Sequence, residues 1–168
     1  PPPSRTKWTR RVRHPVLIGH AASPSQASRA VVKDADVSEN SVRGVGVQSG
    51  GEVHMQGSRV CANSQEGVFV SGARSQVTLL DNDIASNGTK GVGVQSAAAA
   101  LLIGNRVQSN AEEGVFVSDP GSQVTVRDSN VARNGMKGIG VQAGGQACAC
   151  ASASRRQQQH LVRTIGCF

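Results

Sequence analysis

Five short glycine-led segments recur along the chain at nearly constant spacing, and they limit the fold more than any other feature. Gly-Val-Gly-Val-Gln at 44–48 is followed by Gly-Val-Phe-Val-Ser at 67–71, Gly-Val-Gly-Val-Gln at 91–95, Gly-Val-Phe-Val-Ser at 114–118 and Gly-Ile-Gly-Val-Gln at 138–142. The leading glycines stand 23, 24, 23 and 24 residues apart. A period in this range belongs to architectures that stack one small unit on the next.

Three further columns keep the same period. An Asn stands four residues before each Gly: Asn40, Asn63, Asn87, Asn110 and Asn134. Nine or ten residues after each Gly an alternating pair begins, read as Val53/Met55, Val77/Leu79, Leu101/Ile103 and Val124/Val126. A lone aliphatic residue follows at Val60, Ile84, Val107 and Val131. Apolar residues two apart point to one side of a strand. Each unit therefore reads as three short strands separated by turns. One coil cannot bury its apolar side alone; stacked coils can, with like strands pairing in parallel about 4.8 Å apart. The 23 Val against 6 Leu and 5 Ile suit strands, and the 3.6-residue helical period is absent. The expected fold is all-β, a parallel β-helix solenoid of about five to six coils with 23–24 residues in each.

The pattern Asn-x-x-x-Gly-Val-x-Val, followed by Val-x-Leu-x-x-Asn-x-Ile-x-x-Asn as in Val77 to Asn87, resembles the right-handed parallel β-helix repeat of the pectate-lyase-like fold. The resemblance spans about residues 30–150. It is nearest to the non-catalytic form in the carbohydrate-binding and sugar-hydrolase group and in the β-helix part of certain F-box proteins. Copper-processing periplasmic β-helix proteins look similar too. By this resemblance the fold is right-handed, and the ligand is a protein destined for ubiquitination or a polysaccharide.

Charge and register divide the chain into three. Residues 1–33 hold seven bases and no acid, residues 143–168 three bases and no acid, and residues 34–142 eight bases against eleven acids. Residues 1–13, dominated by Pro, Ser and Arg, are expected to be a basic disordered head, the only part suited to nucleic acid. The β-helix is expected over 14–150, with Val16 to Ile18 as the first strand and a Ser/Pro loop at 21–28. Residues 151–168 read as a low-complexity tail. Ten residues beyond Gly138 lie Cys148 and Cys150, expected to fill the core of a last second strand. No apolar run approaches the roughly 20 residues of a membrane span. A start at Pro1 without Met is read as part of a longer chain, and cytoplasm is slightly favoured over secretion.

A longer period of 47 residues supplies the candidate site. The residue before each Gly runs Arg43, Glu66, Lys90, Glu113, Lys137, an alternating charge ladder one coil apart. The centre of the first strand runs Gly46, Phe69, Gly93, Phe116, Gly140, which points both Phe rings outward about 10 Å apart. The rings read either as covers for bare glycine backbone or as stacking platforms. Beside them run Gln48, Ser71, Gln95, Ser118 and Gln142, polar groups suited to a glycan groove or a protein interface. The Asn column reads as a ladder of hydrogen-bonded amides, which leaves the sequon Asn87-Gly88-Thr89 without a glycan.

Catalysis finds little support in these residues. Asp34, Asp81 and Asp128 share a column but are separated by Gly57 and Gly104, hence about 10 Å apart. That is too far to share a cation, and at or beyond the limit for a glycosidase pair. His54 has no acid in its column. No metal or cofactor is expected. The sequence reads as a non-catalytic recognition scaffold for a protein partner, with a carbohydrate-binding or carbohydrate-active protein as the alternative.

Overall fold

The computed structural model describes residues 6–8, 16–18 and 28–150. Among the described residues eighteen strands form three parallel sheets wound around one core, and there is no helix. The first sheet contains Val16–Ile18, Val45–Val47, Val68–Ser71, Val92–Gln95, Val115–Val117 and Ile139–Val141. The second contains Thr6–Trp8, Arg29–Lys33, Glu52–Gln56, Gln76–Leu80, Ala99–Ile103, Gln123–Arg127 and Gln146–Cys150. The third, with Asp36–Ser38, Arg59–Cys61, Asp83–Ala85, Arg106–Gln108 and Asn130–Ala132, has five strands. About five coils result. Thr6–Trp8 pairs with Arg29–Lys33, so strand structure begins inside the segment expected to be a disordered head. The rest of that head, the loop over 21–27 and the tail at 151–168 lie outside the described residues.

Valines fill the core because every coil offers it the same positions. Val45, Val68, Val92 and Val115 are fully buried in one column, and Val37, Val60 and Val107 in another with Ile84. A buried Val, Leu or Ile side chain stabilises by roughly 1.5–3 kcal/mol. The leading glycines are required by close approach. A Cβ at Gly44 would sit 2.7 Å from the Gly67 carbonyl oxygen and 2.8 Å from Asn63 Nδ2.

Two inward assignments are corrected by the register. Ala100 pairs with Val77 and Leu102 with Leu79, so these are the core residues, and Leu101 and Ile103 face outward. Likewise Ala147 pairs with Val124 and Ala149 with Val126, and both alanines pack on the core. Cys148 and Cys150 stand instead beside Thr125 and Arg127 on the outer face, with their sulfurs 3.8 Å apart.

The cause lies in the loop between first and second strands. In the Gly-x-Gly coils two consecutive residues take left-handed backbone: Ser49 and Gly50, Ser96 and Ala97, Ala143 and Gly144. In the Phe coils the left-handed residues, Gly72 and Arg74 or Asp119 and Gly121, are separated by one more residue. The second strand's first core residue therefore comes nine residues after the Gly in one kind of coil and ten in the other. This single residue is also the source of the 23/24 alternation.

Candidate functional site

The outer face of the first sheet is built from three parallel rows. Its centre alternates Gly and Phe: Phe69 pairs with Gly46 and Gly93, and Phe116 with Gly93 and Gly140. Each ring lies along glycine backbone; a Cβ at Gly93 would be 3.6 Å from Phe69 Cδ2, and one at Gly140 3.2 Å from Phe116 Cδ2. Phe69 is only 7% exposed, and Phe116 is half-buried. Cations close the rings from above. The Arg43 guanidinium carbon is 3.9 Å from the Phe69 centroid, and Lys90 Nζ is 5.1 Å from that of Phe116. The rings thus cover glycine and are themselves covered, which leaves cation–aromatic pairs on the surface in place of open stacking platforms.

Carboxylates hold those cations in place. Arg43 Nε donates to Glu66 Oε2 at 2.8 Å, and Lys90 Nζ to Glu112 Oε2 at 2.5 Å. The expected ladder through Arg43, Glu66, Lys90, Glu113 and Lys137 is therefore broken into separate pairs. Lys90 reaches across Phe116 to Glu112, while Glu113 is buried, with its Cγ near Gly140. Lys137 is exposed. On the other side of the Phe row, Gln48 and Gln142 are exposed, and Ser71, Gln95 and Ser118 are half-buried.

Under this face the Asn column is a continuous ladder. Asn40 Nδ2 donates to Asn63 Oδ1 at 2.7 Å, Asn63 to Asn87 at 2.9 Å, Asn87 to Asn110 at 2.9 Å and Asn110 to Asn134 at 3.0 Å. The backbone N–H of each donor residue reaches the same oxygen. The Asn87 side chain is buried and also donates to the Val60 carbonyl, which leaves its amide no free position for a sugar.

A second ladder, at the corner between second and third strands, escaped the sequence reading. Ser58 N–H donates to Asn82 Oδ1, Asn82 Nδ2 to Asn105 Oδ1, and Asn105 N–H to Ser129 Oγ. Its signal was a polar residue directly after Gly57, Asp81, Gly104 and Asp128, masked because Ser and Asn mix and because Ala35 follows Asp34. That column takes left-handed backbone throughout, φ running from 48° to 68°. The aspartates are therefore turn residues; the Asp81 carboxylate occupies the space that a Cβ at Gly104 would need.

The third sheet carries another ladder unforeseen in the sequence. Asp36, Arg59, Asp83, Arg106 and Asn130 stand in register, and Arg106 meets Asp83 through two bonds, at 2.6 and 3.0 Å. His54 stands on the second sheet between Val31 and Thr78.

Comparison with known proteins gives one match. Residues 22–152 fit the family model described as "Right handed beta helix region". No curated protein and no solved structure matches the chain.

Proposed function

The chain belongs to the right-handed β-helix family, and from that premise we propose that it is a non-catalytic recognition scaffold whose first-sheet outer face binds a protein partner. The observation that carries this reading is the pair of cation–aromatic units, Arg43 on Phe69 and Lys90 on Phe116, each tied to a glutamate. Arginine and aromatic groups are the commonest anchors of protein interfaces. Here their rotamers are fixed before a partner arrives, which lowers the entropy cost of binding. The row Gln48, Ser71, Gln95, Ser118 and Gln142 supplies donors and acceptors along one side.

Affinity capture with the full chain, compared with an Arg43→Gln, Lys90→Gln double variant, tests the proposal. Both side chains are half-buried over the rings and ion-paired, so the expected result is loss of the captured partner with a small fall in melting temperature and the fold retained. Equal capture by both proteins would sink the reading. A panel of immobilised polysaccharides, run alongside, tests the carbohydrate alternative; retention there that the double variant loses would replace a protein partner with a glycan.

A further inference from the structure

The outer face of the first sheet repeats with every second coil, and that interval selects among the backbones a partner can bring. Gln48, Gln95 and Gln142 form one row along the solenoid axis, with Ser71 and Ser118 between them. Gln48 and Gln142 are exposed and Gln95 is half-buried. Among the described residues no hydrogen bond occupies these three side-chain amides.

Two coils rise about 9.6 Å. A polyproline II helix turns once in three residues of about 3.1 Å each, and so presents the same side about every 9.3 Å. An extended strand presents the same side about every 6.8 Å, an α-helix about every 5.4 Å. Of the three, polyproline II stays aligned with the glutamines over the four coil-to-coil intervals from Gln48 to Gln142, with a total mismatch of about 0.6 Å. Its carbonyls make no internal hydrogen bonds, so they can accept from the glutamine amides.

Charge adds a second requirement. Glu66 is held by Arg43 and Glu112 by Lys90. Glu113 is 7% exposed and lies along Gly140 beside Phe116, and among the described residues it forms no ion pair. Lys137, next in its column, is exposed. A carboxylate enclosed in this way is attracted to a cation more strongly than one in open water, so the face complements a segment that carries a basic residue.

Taking this face as the protein-binding surface, we propose that its partner is a proline-rich segment in the polyproline II conformation, laid along the solenoid axis with an Arg or Lys set against Glu113. The glutamine row donates to carbonyls at every third residue, and proline rings pack on the cation-covered phenylalanines. The basic residue fixes where along the axis the segment sits. Such a segment is already extended before it binds, so little entropy is lost in docking it.

The probe is fluorescein-labelled Pro-Pro-Val-Pro-Pro-Arg-Pro-Pro-Val-Pro amide, titrated into the full chain by anisotropy, with side-chain amide NMR shifts followed at Gln48, Gln95 and Gln142. Saturable binding is expected, weakened about tenfold or more by Glu113→Gln and about threefold or more by Gln95→Ala. Lys137→Gln should leave binding as tight or tighter, and Thr78→Ala, on the second sheet, should not change it. Two control peptides should bind at least about tenfold more weakly: the probe with Glu in place of Arg, and the strand-forming Thr-Val-Thr-Arg-Thr-Val-Thr amide. Absence of saturable binding would overturn the proposal. So would equal binding of either control peptide, binding that survives both Glu113→Gln and Gln95→Ala, or weakening by Lys137→Gln. The peptide comparisons hold even if the Glu113 variant fails to fold. If the probe fails while the Arg43→Gln, Lys90→Gln variant still loses its captured partner, the proline-rich class is excluded and protein binding at this face stands.

Discussion

Left-handed backbone is the residue-scale device that closes every coil. It falls on Glu39, Ala62, Ser86, Ser109 and Arg133, each directly before a ladder Asn, with φ between 52° and 59°. A side chain in this conformation costs roughly 1–2 kcal/mol, and the amide ladder beside it holds the corner closed. Exposed Ala62 has no polar group to compensate, so Ala62→Gly should stabilise by about 0.5–1 kcal/mol in denaturant unfolding, after the entropy cost of Gly. Gly88→Ala should do the reverse, because its Cβ would run into the Ser64 carbonyl. Asn87→Ala removes the acceptor for two buried Asn63 donors, the N–H and Nδ2. At about 1–3 kcal/mol for each orphaned group, it should rank among the most damaging single changes, seen as a drop in denaturation midpoint.

Cys61 shows the same tightness through its titration. Burial, reinforced by Asp36, Asp83 and Glu39 and partly offset by Arg59, pushes its thiol above the ordinary range. A raised pKa means that the folded protein binds the proton more firmly than the unfolded chain. Its contribution to stability is thus complete below the ordinary thiol pKa and is lost as pH rises through the folded value. Cys61→Ala should therefore flatten the alkaline limb of the stability profile. In the native protein Cys61 should also alkylate far more slowly at mildly alkaline pH than in denaturant, as read by mass spectrometry.

At the scale of the strand, parity decides everything, since a shift of one residue exchanges core and surface. Leu102→Ala should cost about 2–5 kcal/mol, whereas Leu101→Ala, on the outer face, should cost under about 1 kcal/mol. Thermal melts of the two variants compare them directly; equal losses would contradict the register. The sequence made most strands legible because polar residues flank their valines, as in Gln76-Val77-Thr78-Leu79. Ala99 to Ile103 has no polar residue at all, and Ala147 to Cys150 alternates two small residue types. Neither run fixes its own parity. The alternation of coil kind does, since Gly91 and Gly138 lead coils in which the interval is nine. The covered state of the Phe rings was less legible, because it depends on where Arg43 and Lys90 fold across the sheet. The third-sheet charge ladder was hidden by its position, one residue outside the aliphatic column that drew the reading.

Over the whole molecule each coil touches only its neighbours, so stability accumulates coil by coil. Two coils form the true unit, since glycine in one kind takes the phenylalanine of the other. Deleting residues 68–114, a 47-residue unit, joins Gly67 to Val115 and restores the Glu-Gly-Val-Phe-Val sequence. That shortened chain should keep a β-sheet circular dichroism spectrum and a single cooperative transition at lower denaturant. Deleting only 68–91 instead sets Gly46 and Gly93 on adjacent coils with no ring between them. This longer product should be less stable per coil than the shorter one.

That unit also makes the solenoid a ruler. Equivalent side chains such as Gln48, Gln95 and Gln142 recur every second coil, about 9.6 Å apart, because stacked strands fix the interval and side chains have no part in it. A linear partner whose own chemistry repeats at that interval meets every graduation in phase, while one with another repeat drifts out of step within a few marks. Lengthening the solenoid by whole units would extend the scale without altering its divisions, so affinity for an in-phase polymer would grow with length while its selectivity sharpened.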